Sequence, residues 1–200
     1  MKIEPVTLEG RCVRLEPLAL AHYDDLVQVG LDEDIWRWTL YVVRTSEDMR
    51  SFVEAELRRQ ATGANLVFAQ IDTASGRAVG TTRLMNIDTA NRRTEIGGTW
   101  LGRAWQRTPI NTEAKYLLLR HAFETWGCIR VEFKTDALNE PSRQAILRLG
   151  AKEEGRLRKH MITATGRVRD SLYFSITDDE WPEVKARLEE KLARQYPAGK

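Results

Sequence analysis

Between Ala104 and Lys115 the chain reads AWQRTPINTEAK, set between a strand-like run, RTEIGGTWL, and a helix-like run, EAKYLLLRHAFETW. A strand, a tight turn and a helix start form a common anion-binding arrangement. The first helical turn carries N–H groups with no intrahelical acceptor, and the helix dipole adds positive potential there. Such turns usually carry glycine, and this one has none. Its donors would be the amides of Arg107, Thr108, Ile110, Asn111 and Thr112, with the Arg107 charge beside them. Pro109 supplies no N–H. The same residues also make a plain helix start, with Pro109 in the first turn and Thr108 as cap. Phosphate binding and simple capping both fit TPIN.

Other side chains could also do chemistry. Asn139 and Ser142 open NEPSRQAILRLG, where such residues commonly cap helices. Glu95 lies on the strand-like run RRTEIGGTWLG. It is an exposed carboxylate, a partner of Arg93, or, if buried with a raised pKa, a proton acceptor. His160 and Tyr173 are further proton-transfer candidates. Trp36 and Trp38 stand two apart and serve either as core anchors or as an aromatic gate. Cys12 and Cys128 are far apart, with no CxxC or Cys/His cluster, so two reduced, buried thiols and no metal site are expected.

These residues need elements to hold them. Val13 and Leu15 alternate with Arg14 and Glu16 as in a half-buried strand. Ala21 to Val29 reads as a short helix. Thr45, followed by Glu47 and Asp48, opens a helix to Ala61. NLVFAQID and RAVGTTRLMNID, joined through TASG, read as a β-hairpin. The Gly97-Gly98 pair in the next strand hints at a bulge or a close backbone approach. A helix over Thr112 to Trp126 stops at Gly127. IRVEFKTD is a strand, and the helix after it has Pro141 in its first turn and Gly150 at its end. Leu157 to Ile162 and Ser171 to Ile176 read as two more strands. A last helix, opened by Thr177 and Glu180, carries Trp181, Val184, Leu188 and Leu192 on one face. That face would pack on the sheet or on a second subunit. The order predicts an α+β or mixed α/β layer fold around one sheet, without repeat or linker, as a single domain over 1–200.

Composition narrows the classes. Hydrophobic residues at 42% and charged residues at 30% exclude a mainly disordered chain. A net charge of +2, with acids and bases interleaved, does not argue for nucleic acid. No run approaches a membrane span or a secretory leader, so a cytoplasmic protein is expected.

The stretch from Thr94 to Trp181 resembles the GNAT acetyltransferases, and within them the RimJ/RimL-type branch. The resemblance rests on EIGGTWL, AWQRTPINTEAKYLLLRHAFE and IRVEFKTDALNEPSRQAILRLGAKEEGRLR, then Gly166, Arg169, Asp170, Tyr173 and Glu180-Trp181. With EGRCVRLEPL near the start, it covers nearly the whole chain. It implies a central, mostly antiparallel, V-splayed sheet flanked by helices, with a C-terminal helix. It also implies acetyl transfer from acetyl-CoA directly to a primary amine, without a metal. The acceptor would be a protein N-terminus or a small amine, and a homodimer is the family's habit.

The resemblance assigns roles residue by residue. The strand ending at Trp100 and Leu101 would pair with the pantetheine arm. Gln106 matches the start of the pyrophosphate loop, while the two glycine positions hold Pro109 and Asn111. Asn139 would contact the pantetheine region. The frequent tyrosine acid is replaced by Ile146, which leaves Ser142 to aid the thiolate. A glutamate found in some relatives is here Lys134, which leaves Glu95 or a water relay as base. Trp36 and Trp38 would wall the acceptor site. These departures also fit a second reading, a non-catalytic module that binds a CoA ester as a sensor.

Overall fold

The computed structural model describes residues 1–195. Eight strands form one sheet: β1 Leu8–Glu9, β2 Val13–Pro17, β3 Leu66–Asp72, β4 Ala78–Asp88, β5 Arg93–Leu101, β6 Arg130–Asp136, β7 Lys152–Ile162 and β8 Val168–Thr177. Their spatial order is β1-β2-β3-β4-β5-β6-β8-β7. All neighbours are antiparallel except β5 and β6, which run parallel. That pair is joined only from Arg93 to Glu95, opposite Arg130 to Glu132. Beyond Glu95 the two strands part, and the sheet opens into a V.

Among the described residues six α-helices flank the sheet: α1 Tyr23–Gly30, α2 Glu33–Trp36, α3 Ser46–Ala61, α4 Pro109–Arg120, α5 Glu140–Leu149 and α6 Trp181–Gln195. Buried side chains of α4, α5 and α6 share one core with Val131, Phe133, Leu172, Phe174 and Ile176. On the opposite face α1, α2 and α3 bury Leu26, Trp36, Met49 and Phe52 against Val67, Ala69, Ile71 and Trp100. That second layer covers only the β3–β5 half, so the same face of β6–β8 is left to polar side chains.

Local chemistry explains most boundaries. The Thr45 hydroxyl accepts the Asp48 N–H at 3.1 Å while the Asp48 carboxylate accepts the Thr45 N–H at 3.0 Å, a reciprocal capping box. Gly150 ends α5 in a left-handed conformation with φ 104°. The Trp181 stripe packs inward: its ring stacks on Phe123 at 5.2 Å, and Val184, Leu188 and Leu192 are buried. The choice between sheet and second subunit thus falls to the chain's own core.

Three expectations change. The helix expected from Thr112 begins at Pro109, because proline at the first position already has the right φ. Its end is a π-helical turn over His121–Thr125. The last two strands are longer than expected, because β7 is a polar edge strand whose residues give little alternation signal.

Candidate active site

The V opening is built by a bulge in β5. The register with β4 shifts between Thr81–Trp100 and Arg83–Gly97, and Gly98 sits at φ 57°. A Cβ on Gly98 would stand 2.6 Å from Arg83 Nε. Arg83 is held there by a buried ion pair with Glu56 of α3, which also engages Arg59. Glycine is therefore required twice, for conformation and for space. Past Glu95 the β6-facing edge of β5 is unpaired, so main-chain groups of Ile96–Leu101 are open to an extended ligand. The Trp100 and Leu101 side chains are buried on opposite faces, and their carbonyls already accept side-chain amides, that of Trp100 from Gln70 Nε2 at 3.2 Å and that of Leu101 from Gln106.

The turn after β5 is closed by its own side chains. Gln106 Nε2 donates to the Leu101 carbonyl at 3.0 Å. Thr108 occupies the N-cap position, but its hydroxyl donates to the Trp105 carbonyl at 2.7 Å and accepts no cap bond. The capping role expected for Thr108 is thus not made, and the first-turn amides stay open. Arg107 adopts φ 62°, a left-handed conformation that costs a non-glycine residue about 1 kcal/mol or more. It bends the chain so that amides can converge in a concavity of the kind that binds anions. Asn111 Oδ1 is buried with no partner.

On the far side of the V, Asn139 Oδ1 accepts the Ser142 N–H at 3.2 Å and so caps α5. The Ser142 hydroxyl is half-buried and makes no hydrogen bond among the described residues. The α5 N-terminus follows directly on β6, the second arm of the V.

Glu95 is 3% exposed at the last paired position of the V. Its Oε2 accepts the Asn86 side-chain N–H at 2.9 Å, and its Oε1 lies 3.6 Å from Lys134 Nζ. The exposed or Arg93-paired carboxylate is therefore not what forms. Arg93 turns instead to Asp88 and Glu132, each at 3.3 Å. Nearby, His160 packs edge-on to Tyr173 with its Nδ1 buried and unpartnered. Burial, with Lys134 and Arg169, pushes the His160 pKa down, so it is neutral at pH 7.

Trp36 is buried, donates Nε1–H to the Gly30 carbonyl at 2.7 Å and packs tilted against Trp100 with ring centroids 5.1 Å apart. It also lines a cavity of about 320 Å³ with Arg37, Tyr41, Thr163 and Thr165, between the segment after α2 and the β7–β8 turn. Trp38 is not part of that lining; the guanidinium groups of Arg37 and Arg167 lie over its ring, 5.0 Å and 5.6 Å from the centroid. Core anchor and cavity wall are both true of Trp36.

The comparisons decide the family. The sequence profile described as "Acetyltransferase (GNAT) domain" matches residues 13–152. The chain belongs to the GNAT acetyltransferases. A GCN5-related N-acetyltransferase from Brucella melitensis is 36% identical, with 95% of this chain and 86% of that one covered and a TM-score of 0.88. The uncharacterized N-acetyltransferase p20 of Bacillus licheniformis is 27% identical over 88% of this chain and 98% of its own. Mycobacterium smegmatis RimJ, solved in complex with CoA-disulfide, shares the fold at a TM-score of 0.81 and 24% identity, over 94% of this chain and 95% of that one. The acetyltransferase is thus acetyl-CoA-dependent and acts on nitrogen.

Sequence reasoning missed several of the acetyltransferase's polar positions. Lys115 and Glu113 on α4 are buried, as is Arg83 on the sheet, and Arg169, noted only as part of the resemblance, is buried too. Lys115 was legible in principle, because it shares a helix face with Leu118 and Leu119 in AKYLLL. Among the described residues no group of carboxylates, histidines and cysteines is arranged to hold a metal ion, and no helix is long and apolar enough to cross a membrane.

Proposed function

We propose that this acetyltransferase moves acetyl directly to a primary amine on a small molecule or a polypeptide N-terminus. One observation carries the reading: a buried carboxylate, Glu95, stands where β5 and β6 separate, with an unbonded serine hydroxyl at the helix beyond β6.

The chain's groups fit acetyl-CoA. The open β5 edge suits the pantetheine amides, and the orphaned Asn111 oxygen and the Arg107 bend suit the diphosphate end. In this reading the backbone of Trp100 and Leu101, the loop from Gln106 to Thr112 without Pro109, and Asn139 hold it. Acetyl-CoA supplies an already activated acyl group. The protein's task is then alignment, which can supply much of the rate. In this reading Glu95 takes a proton from the incoming ammonium, directly or through water, and the Ser142 hydroxyl donates a hydrogen bond toward the leaving sulfur. Trp36 holds the acceptor wall in place through Trp100.

The test joins calorimetric titration of acetyl-CoA to free-thiol release with a panel of amines. Binding should collapse when the nucleotide half is removed, and thiol should appear only with an amine present. Ser142→Ala should lower kcat by about tenfold or more while leaving acetyl-CoA affinity in place. Tight binding with no thiol release from any amine would replace transfer by a binding-only role.

A further inference from the structure

The polar face of β6 and β8 carries a guanidinium without a full partner. Strand pairing sets Lys134 opposite Tyr173 and Asp136 opposite Ser171, and alternation puts Glu95, Lys134, Asp136, Ser171, Tyr173 and Arg169 on one face. Arg169 is 6% exposed. Its Nε donates to Ser171 Oγ at 3.1 Å, so the side chain runs along the strand toward Tyr173. Its nearest carboxylate oxygen, Asp136 Oδ2, is 3.9 Å away and already taken by Arg167, while Asp136 Oδ1 accepts the Leu138 N–H. The two terminal nitrogens of Arg169 make no hydrogen bond among the described residues. Three cations, Lys134, Arg167 and Arg169, thus share two carboxylates, Glu95 and Asp136, with a neutral His160 beside them. Glu95 is close enough for its field to act on Arg169.

A guanidinium fork buried with its outer edge free is arranged for a planar anion, which it binds through two parallel N–H bonds. Resting on the amine-transfer reading above, the geometry points to an acceptor that carries a carboxylate as well as its amine, the carboxylate held by Arg169 and the amine presented to Glu95. Burial lowers the Arg169 pKa against the pull of Asp136, the signature of a cation that its surroundings do not fully compensate. A bound carboxylate would even the charge balance.

The experiment compares matched acceptors on the full chain: free amino acids against their amides, and peptides opening with Asp or Glu against those opening with Asn or Gln. Carboxylate-bearing acceptors should show a kcat/KM about 10- to 100-fold higher, carried mainly by KM. A preference confined to free amino acids names a small-molecule acceptor, and one shown by peptides names an acidic N-terminus; both support the inference. Arg169→Lys, which keeps the charge and loses the fork, should remove most of the preference. Equal kcat/KM across each pair, or a preference that survives Arg169→Lys, would overturn it. Calorimetry with an N-acetylated amino acid and its amide reads the same contrast without turnover. If no amine releases thiol, the transfer reading falls. The carboxylate site then stands or falls on that product-binding difference alone.

Discussion

The ammonium of Lys115 on α4 ends between two threonine hydroxyls, 3.0 Å from Thr82 and in hydrogen-bond contact with Thr99. No carboxylate faces it among its hydrogen-bond and ion-pair partners, and burial pushes its pKa from 10.5 down to about 7. The unfolded chain keeps this proton up to about pH 10.5, and the folded chain releases it near 7. Between those values the unfolded state binds more protons, so stability should rise with pH across that window. Lys115→Met should melt about 5 °C higher than the parent at pH 6, because Thr82 and Thr99 keep their own 2.8 Å bond. The gap should close toward pH 10. A melting difference that does not vary with pH would refute this account of Lys115.

Glu113, two residues earlier on α4, turns the other way and ties the N-terminal strands to that helix. Its carboxylate accepts the main-chain N–H groups of Arg11 at 2.9 Å, Cys12 at 2.7 Å and Val13 at 3.0 Å. Gly10 is needed beside it, since a Cβ there would meet the carboxyl at 2.7 Å. Glu113→Ala removes the acceptor of three main-chain donors, two of them buried, and should cost about 3 kcal/mol in chemical denaturation. Glu113→Gln, which keeps one acceptor oxygen, should cost less. Equal losses would mean that the packing of the side chain, and not its hydrogen bonding, holds the strands.

What was legible in the sequence was short in range. The Thr45–Asp48 box spans four residues, and Gly97-Gly98 announced its own bulge. The stripe from Trp181 to Leu192 could be read from helical spacing, though not its partner. Glu95 shows the limit. Its neighbour Arg93 lies two residues away on the same strand face, yet its cation is Lys134, which the parallel pairing of β5 and β6 brings alongside. Glu113 reaches back about a hundred residues for its three donors. Pairing across a sheet is decided by topology, and no local pattern encodes which of several acids and bases will meet.

Gly98 couples the V to the α3 layer. Gly98→Ala forces a left-handed alanine and a Cβ against Arg83, whose guanidinium is paired with buried Glu56. The cost should be about 2–4 kcal/mol, read from the urea midpoint. Combined with Glu56→Gln the loss should be clearly less than additive, because both changes break the same pair. Full additivity would show that the strain at Gly98 is independent of Arg83.

Arg107 should separate stability from affinity. Its φ of 62° is natural for glycine and strained for arginine, so Arg107→Gly should raise stability by about 0.5–1 kcal/mol. The same change removes the cation at the α4 start, where the diphosphate of acetyl-CoA would lie. Acetyl-CoA affinity should therefore fall by about three- to tenfold at low salt, with the deficit shrinking as ionic strength rises. The opposite signs are what distinguish a strained residue kept for binding from one kept for the turn. Thermal melts and calorimetry on the same two proteins check both. A variant that is more stable and binds acetyl-CoA as before would leave the open amides of Ile110 and Asn111, and the dipole of α4, as the anion-binding elements of this loop.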